Sequence, residues 1–152
     1  MKKLYTAMLL VLLAFAALPT SGTELGELHP VSLLFVRIDG KNVRLCTDTL
    51  DTGEGETLDA ALQNLEDTTP GYLFLDTVEH LILTEQTRYL IPQLKKLLRP
   101  GVTVCVTEFE PDLETLPEYL KTHAPNTLLR DAKETTPLQK LNDTEGRYFL
   151  EK

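Results

Sequence analysis

Apolar positions along the chain change period from segment to segment, and the changes mark its elements. Val31–Ile38 (VSLLFVRI) is dense in β-branched and apolar residues, and Val43–Leu50 (VRLCTDTL) alternates, so each reads as a strand. Between them Asp39-Gly40-Lys41-Asn42 supplies the Asp-Gly pair that a primed turn favours, which predicts a hairpin with Val43, Leu45 and Thr47 facing inward. Asp51–Glu56 (DTGEGE) reads as a loop, after which Thr57 is a natural N-cap. Leu58, Ala61, Leu62 and Leu65 then fall at helical spacing on one face, and Thr68-Thr69-Pro70-Gly71 stops the helix.

Tyr72–Leu75 and Val78–Leu83 are too short for helices and read as buried extended chain. Thr84 caps a helix expected over Glu85–Leu98, with Leu90, Ile91, Leu94, Leu97 and Leu98 as its apolar stripe and Lys95, Lys96 and Arg99 at its negative end. Pro100-Gly101 ends it, and strand Val102–Thr107 follows at once. Strand, helix and strand joined this tightly make a βαβ unit with a parallel pair. Thr115-Leu116-Pro117-Glu118 and Thr136-Pro137-Leu138-Gln139 each carry a helix-start pattern, and Tyr148-Phe149-Leu150 reads as a short strand or an apolar anchor. The expected fold is a single α/β domain over residues 31–152, a mixed sheet with an N-terminal β-hairpin and a parallel βαβ unit, helices packed on the sheet.

Ahead of it, Lys2 and Lys3, the apolar run Leu4–Leu18 and small residues after it have the layout of a secretory signal over residues 1–22. An uncleaved anchor is the alternative, although the run is shorter than the roughly 20 residues of a usual span. Residues 23–30 form a polar linker. Lys2 and Lys3 count among the 15 Lys+Arg, while all 23 Asp+Glu lie beyond residue 22, so the domain is more acidic than the chain's net −8. Such a surface repels phosphate backbones and anionic headgroups, which speaks against nucleic-acid partners and leaves the membrane only to an uncleaved signal.

In an exported chain Cys46 and Cys105 allow one disulfide, or two separately buried thiols. His29, His80 and His123 are scattered over different elements, and Glu79 and His80, as neighbours on a strand, point to opposite faces. His80 is therefore expected to be a satisfied sheet histidine. No CxxC or HxxxH pair supports zinc, and Ser32, the only serine beyond the signal, lacks a nucleophile elbow. No catalytic, cofactor or metal residues are assigned. Asp48, Asp51, Glu54, Glu56 and Asp59 gather around two glycines and form the candidate contact loop. Their spacing matches no EF-hand, so weak cation or small-molecule binding at 48–59 is the alternative to protein contact.

Arg37-Ile38-Asp39-Gly40, then Gly53-Glu54-Gly55-Glu56-Thr57-Leu58-Asp59-Ala60-Ala61, then Leu81-Ile82-Leu83-Thr84-Glu85 and the helix to Leu98 follow a familiar order. Over Val31–Thr107 this resembles the N-terminal domain of the Ger(x)C-type spore germinant-receptor C subunit family. The chain lacks the lipidation cysteine of that family and stops after what resembles its first domain. The resemblance implies a free-standing, exported, non-enzymatic protein of the spore envelope or germination apparatus that acts by contact with a protein partner.

Overall fold

A computed structural model of the protein describes residues 28–151. The signal at 1–22 and residues 23–27 of the linker lie outside the described residues. The hairpin forms as its pattern requires: β2 (Leu33–Asp39) pairs antiparallel with β3 (Asn42–Thr47), preceded by β1 (Leu28–Pro30). Gly40 opens the two-residue turn at φ 62°, a backbone state that glycine adopts without a Cβ penalty. Val43, Leu45 and Thr47 are buried.

The DTGEGE segment is a strand rather than a loop: β4 (Thr52–Gly55) pairs antiparallel with β3. Helix α1 (Leu58–Thr68) follows, its first turn capped by the Thr57 hydroxyl accepting from Ala60 N–H at 3.2 Å, with Leu58, Ala61 and Leu65 buried. β5 (Tyr72–Phe74) leaves the main sheet and pairs in parallel with β1. Tyr72 and Phe74 are exposed, against the buried strand expected there.

β6 (His80–Leu83) lies parallel to β2, and β7 (Thr103–Thr107) parallel to β6. The expected helix between them divides into a 3-10 stretch (Glu85–Leu90) and α2 (Ile91–Leu97). Pro92 has no N–H to bond the Arg88 carbonyl, so a continuous α-helix cannot run through it. α3 (Leu116–Thr122) precedes the closing hairpin, β8 (Lys140–Thr144) and β9 (Arg147–Glu151). No helix forms at Thr136. The Thr136 hydroxyl instead accepts from Lys133 N–H at 2.8 Å, and its carbonyl takes the Arg88 guanidinium, which holds the chain extended into β8.

The seven-stranded sheet runs β4-β3-β2-β6-β7-β8-β9, with a parallel centre and an antiparallel hairpin at each side. One face carries Leu34, Val36, Leu45, Leu81, Leu83 and Val104 under α1 and α2. The other carries Leu33, Phe35, Ile82 and Leu141 under Leu116 and Leu120 of α3. This is the expected single mixed-sheet α/β domain. No helix among the described residues is long and apolar enough to cross a membrane.

Candidate functional site

The register decides the fate of the cysteines. Cys46, Phe35, Ile82 and Cys105 stand opposite one another in a single row across β3, β2, β6 and β7. Three strand spacings separate the two thiols by about 14 Å, twice the Cα separation that a disulfide spans. Of the two readings, the separately buried thiols hold: both cysteines are free and buried. Burial in this apolar row pushes the Cys105 thiol up to about 12. It also raises Cys46, against the pull of Arg44 and Arg37.

The five acids of the candidate contact loop separate. Asp48 and Asp51 sit at the β3–β4 turn, whereas Glu56 and Asp59 lie beyond the far end of β4, about 13 Å of strand away. Glu54, on β4 itself, pairs with Arg44 at 3.3 Å while Arg44 also meets Asp39 at 3.2 Å. Arg37 of the neighbouring strand reaches Glu110 at 2.7 Å, so these side chains tie β2, β3 and β4 to the segment before α3. Among the described residues no three His, Cys, Asp or Glu side chains converge as a metal-binding group. The cation reading loses the convergent carboxylates on which it rested.

Asp48 has a structural task. Its carboxylate accepts from Ser32 N–H at 3.1 Å and Leu33 N–H at 3.2 Å and also takes the Ser32 hydroxyl, which pins the start of β2 to the end of β3. At the turn, Thr47 N–H bonds the Asp51 carbonyl at 3.0 Å and Leu50 N–H bonds the Thr47 carbonyl at 3.0 Å. The Thr49 hydroxyl donates to the Asp51 carboxylate at 2.7 Å. This three-residue loop needs a left-handed residue at its last position, normally glycine. The chain places Leu50 there, at φ 65° and 59% exposed. A left-handed leucine costs about 1 kcal/mol or more, and its side chain, more than half exposed, recovers little of this by burial.

On the same side of the sheet, Asp48, Leu33, His80 and Thr103 form the next row of the face that carries the cysteines. His80 shares that face with Ile82, but Val78 turns to the opposite core, because the strand begins only at His80. The Thr103 hydroxyl lies 2.7 Å from His80 Nδ1 and 3.3 Å from the Glu79 carbonyl. His80 Nε2 is buried and has no hydrogen-bond partner among the described residues. The satisfied histidine expected here is thus only half satisfied. Glu79 is exposed and makes no hydrogen bond or ion pair with it among the described residues. An open groove of about 520 Å³ runs past His80, between Glu79 and Arg99. Ser32 is only half buried, and its hydroxyl is committed to Asp48 rather than to His80, so this edge holds no serine–imidazole pair.

Burial lowers the His80 pKa below its usual 6.5, outweighing the opposite pull of Glu79 and Asp48. Below pH 6.5 the unfolded chain therefore binds a proton that the folded one resists, and stability falls as pH drops through that point. Urea unfolding at pH 7.5, 6.5 and 5.5 should show this loss, and His80→Phe should flatten it. An unchanged slope in the variant would place the titrating group elsewhere. His29 is half buried in β1, and His123 stacks on Tyr119 at 4.7 Å on the exposed end of α3, far along the chain from either feature.

Leu50 is the residue that sequence reasoning missed. Its only trace is the turn-forming composition of Asp48-Thr49-Leu50-Asp51, which marks a loop without saying which residue must go left-handed. The chain has no significant match among protein-family models, characterised proteins or solved structures.

Proposed function

We propose that this chain is an exported, non-enzymatic contact domain of the cell or spore envelope, and that the β3–β4 turn is its point of contact with a protein partner. The observation that carries the reading is Leu50, a large apolar side chain held out to solvent in a left-handed backbone. Strain of this kind persists where the surrounding structure imposes it, and it gathers at binding sites. Asp51 stands beside it at the turn and adds charge at the rim. The resemblance of Val31–Thr107 to germinant-receptor C subunits supports a partner in the germination apparatus.

Leu50→Gly tests this because folding and contact should respond in opposite directions. Glycine relieves the left-handed backbone, so unfolding free energy should rise by about 1 kcal/mol. Loss of a buried leucine anchor should weaken capture about tenfold or more, as read by cross-linking pull-down of tagged protein from sporulating cells and mature spores. Wild-type protein should recover receptor subunits or envelope proteins. Equal capture by the glycine variant would reject the turn as the contact, and protein abundant in vegetative medium with no spore partner would reject the germination reading.

A further inference from the structure

The main sheet ends on β9, whose outer edge is unpaired among the described residues. Its backbone pattern follows from the turn that precedes it. Thr144 and Arg147 face each other across Glu145-Gly146, both at positive φ (54° and 76°), which is a primed two-residue turn. Such a turn makes Thr144–Arg147 a mutually hydrogen-bonded pair, and alternation makes Asn142–Phe149 and Lys140–Glu151 the same. Tyr148 and Leu150 therefore turn their N–H and C=O groups outward, to the open edge.

The side chains of the strand read Arg147-Tyr148-Phe149-Leu150-Glu151. Tyr148 and Leu150 pack into the core beneath the sheet, while Arg147, Phe149 and Glu151 are exposed on the other face, Phe149 by 43%. Charge on that face is antisymmetric about Phe149.

We propose that a second copy of this chain docks antiparallel on β9, with a two-fold axis through Phe149. In that register Tyr148 of each copy lies opposite Leu150 of the other, so the open backbone groups exchange hydrogen bonds in mutual pairs. Phe149 meets its own counterpart at the close, non-hydrogen-bonded position, where aromatic pairs gain most. Arg147 of each copy faces Glu151 of the other, twice. The register that satisfies the backbone is thus also the one that pairs opposite charges. In the neighbouring registers Glu151 falls opposite Glu145 or opposite Phe149, so the charges select against a slip. Natural edges are commonly blunted against pairing, whereas this one presents both backbone and charge in self-complementary order. An isologous dimer closes this one.

Sedimentation equilibrium of the full chain tests the dimer. Wild-type protein should show a monomer–dimer equilibrium that weakens with salt. Arg147→Glu alone, or Glu151→Arg alone, should raise the dissociation constant about tenfold, because each sets like charges opposite one another at both ends of the pairing. Arg147→Glu combined with Glu151→Arg should restore it. Phe149→Cys should cross-link the two copies on oxidation, since Cα atoms about 4.5 Å apart lie within disulfide reach. Cys46 and Cys105 are buried and do not compete. A wild-type chain that stays monomeric at the highest concentration reached, with no Phe149→Cys cross-link, would overturn the proposal. So would a dimer indifferent to charge reversal, which must use another surface, or an edge that accepts only a foreign extended peptide.

Discussion

Gly53→Ala should cost about 3 kcal/mol of folding stability, and Gly53→Val should unfold the domain. A Cβ at Gly53 would lie 2.3 Å from the Ala61 carbonyl oxygen and 2.6 Å from the Leu65 nitrogen. At Gly55 it would lie 2.5 Å from the Ala61 nitrogen. These are backbone atoms of α1, so no flexible side chain can move aside to make room. Neither glycine has a left-handed backbone, so the requirement is one of space alone. α1 rests directly on the bare face of β4, and the pair Ala60-Ala61 completes a contact made by small groups on both elements. Gly101 is the matched control: nothing stands within 4 Å of a Cβ there, and Gly101→Ala should be nearly neutral. Urea unfolding of the three variants decides the matter. If Gly53→Ala falls within about 0.5 kcal/mol of Gly101→Ala, the close packing of α1 on β4 is wrong.

The same glycines show where the sequence stops being readable. Thr52-Gly53-Glu54-Gly55 alternates small and polar, and without apolar residues it reads as a loop. It is a strand because helix backbone, not side chains, fills its inner face. β8 is hidden for a related reason: at an outer position of the sheet Lys140-Leu141-Asn142-Asp143-Thr144 buries only Leu141, too little for a period to show. The hairpin Leu33–Thr47 and the β6–α2–β7 unit are legible because each buries a full apolar face. What periodicity cannot carry is the joining of rows across strands. Only the register places Cys46 and Cys105 on one face yet three strands apart, and only a measured φ singles out Leu50. The charge pattern of β9 was open to reading throughout, but its meaning depends on which backbone groups face outward.

Asp48→Ala should cost about 2 kcal/mol, the second large effect, because it removes an acceptor rather than a charge. Without the carboxylate, Ser32 N–H and Leu33 N–H lose their partner at the point where β2 enters the sheet, and the Ser32 hydroxyl loses its own. Asp48→Asn keeps one acceptor oxygen but presents an amide to a donor, and should cost about half as much. The contrast with Leu50→Gly separates two roles that lie two residues apart. On the proposed contact, Asp48→Ala should weaken the fold and, by loosening the turn, weaken partner capture as well. Leu50→Gly should strengthen the fold and still lose capture. A structural account of the whole turn requires both effects to carry the same sign, whereas a contact role for Leu50 requires them to diverge. If thermal and urea unfolding find Asp48→Ala as stable as wild type, water has replaced the carboxylate at the β2 amides, and Asp48 returns to the contact surface beside Leu50.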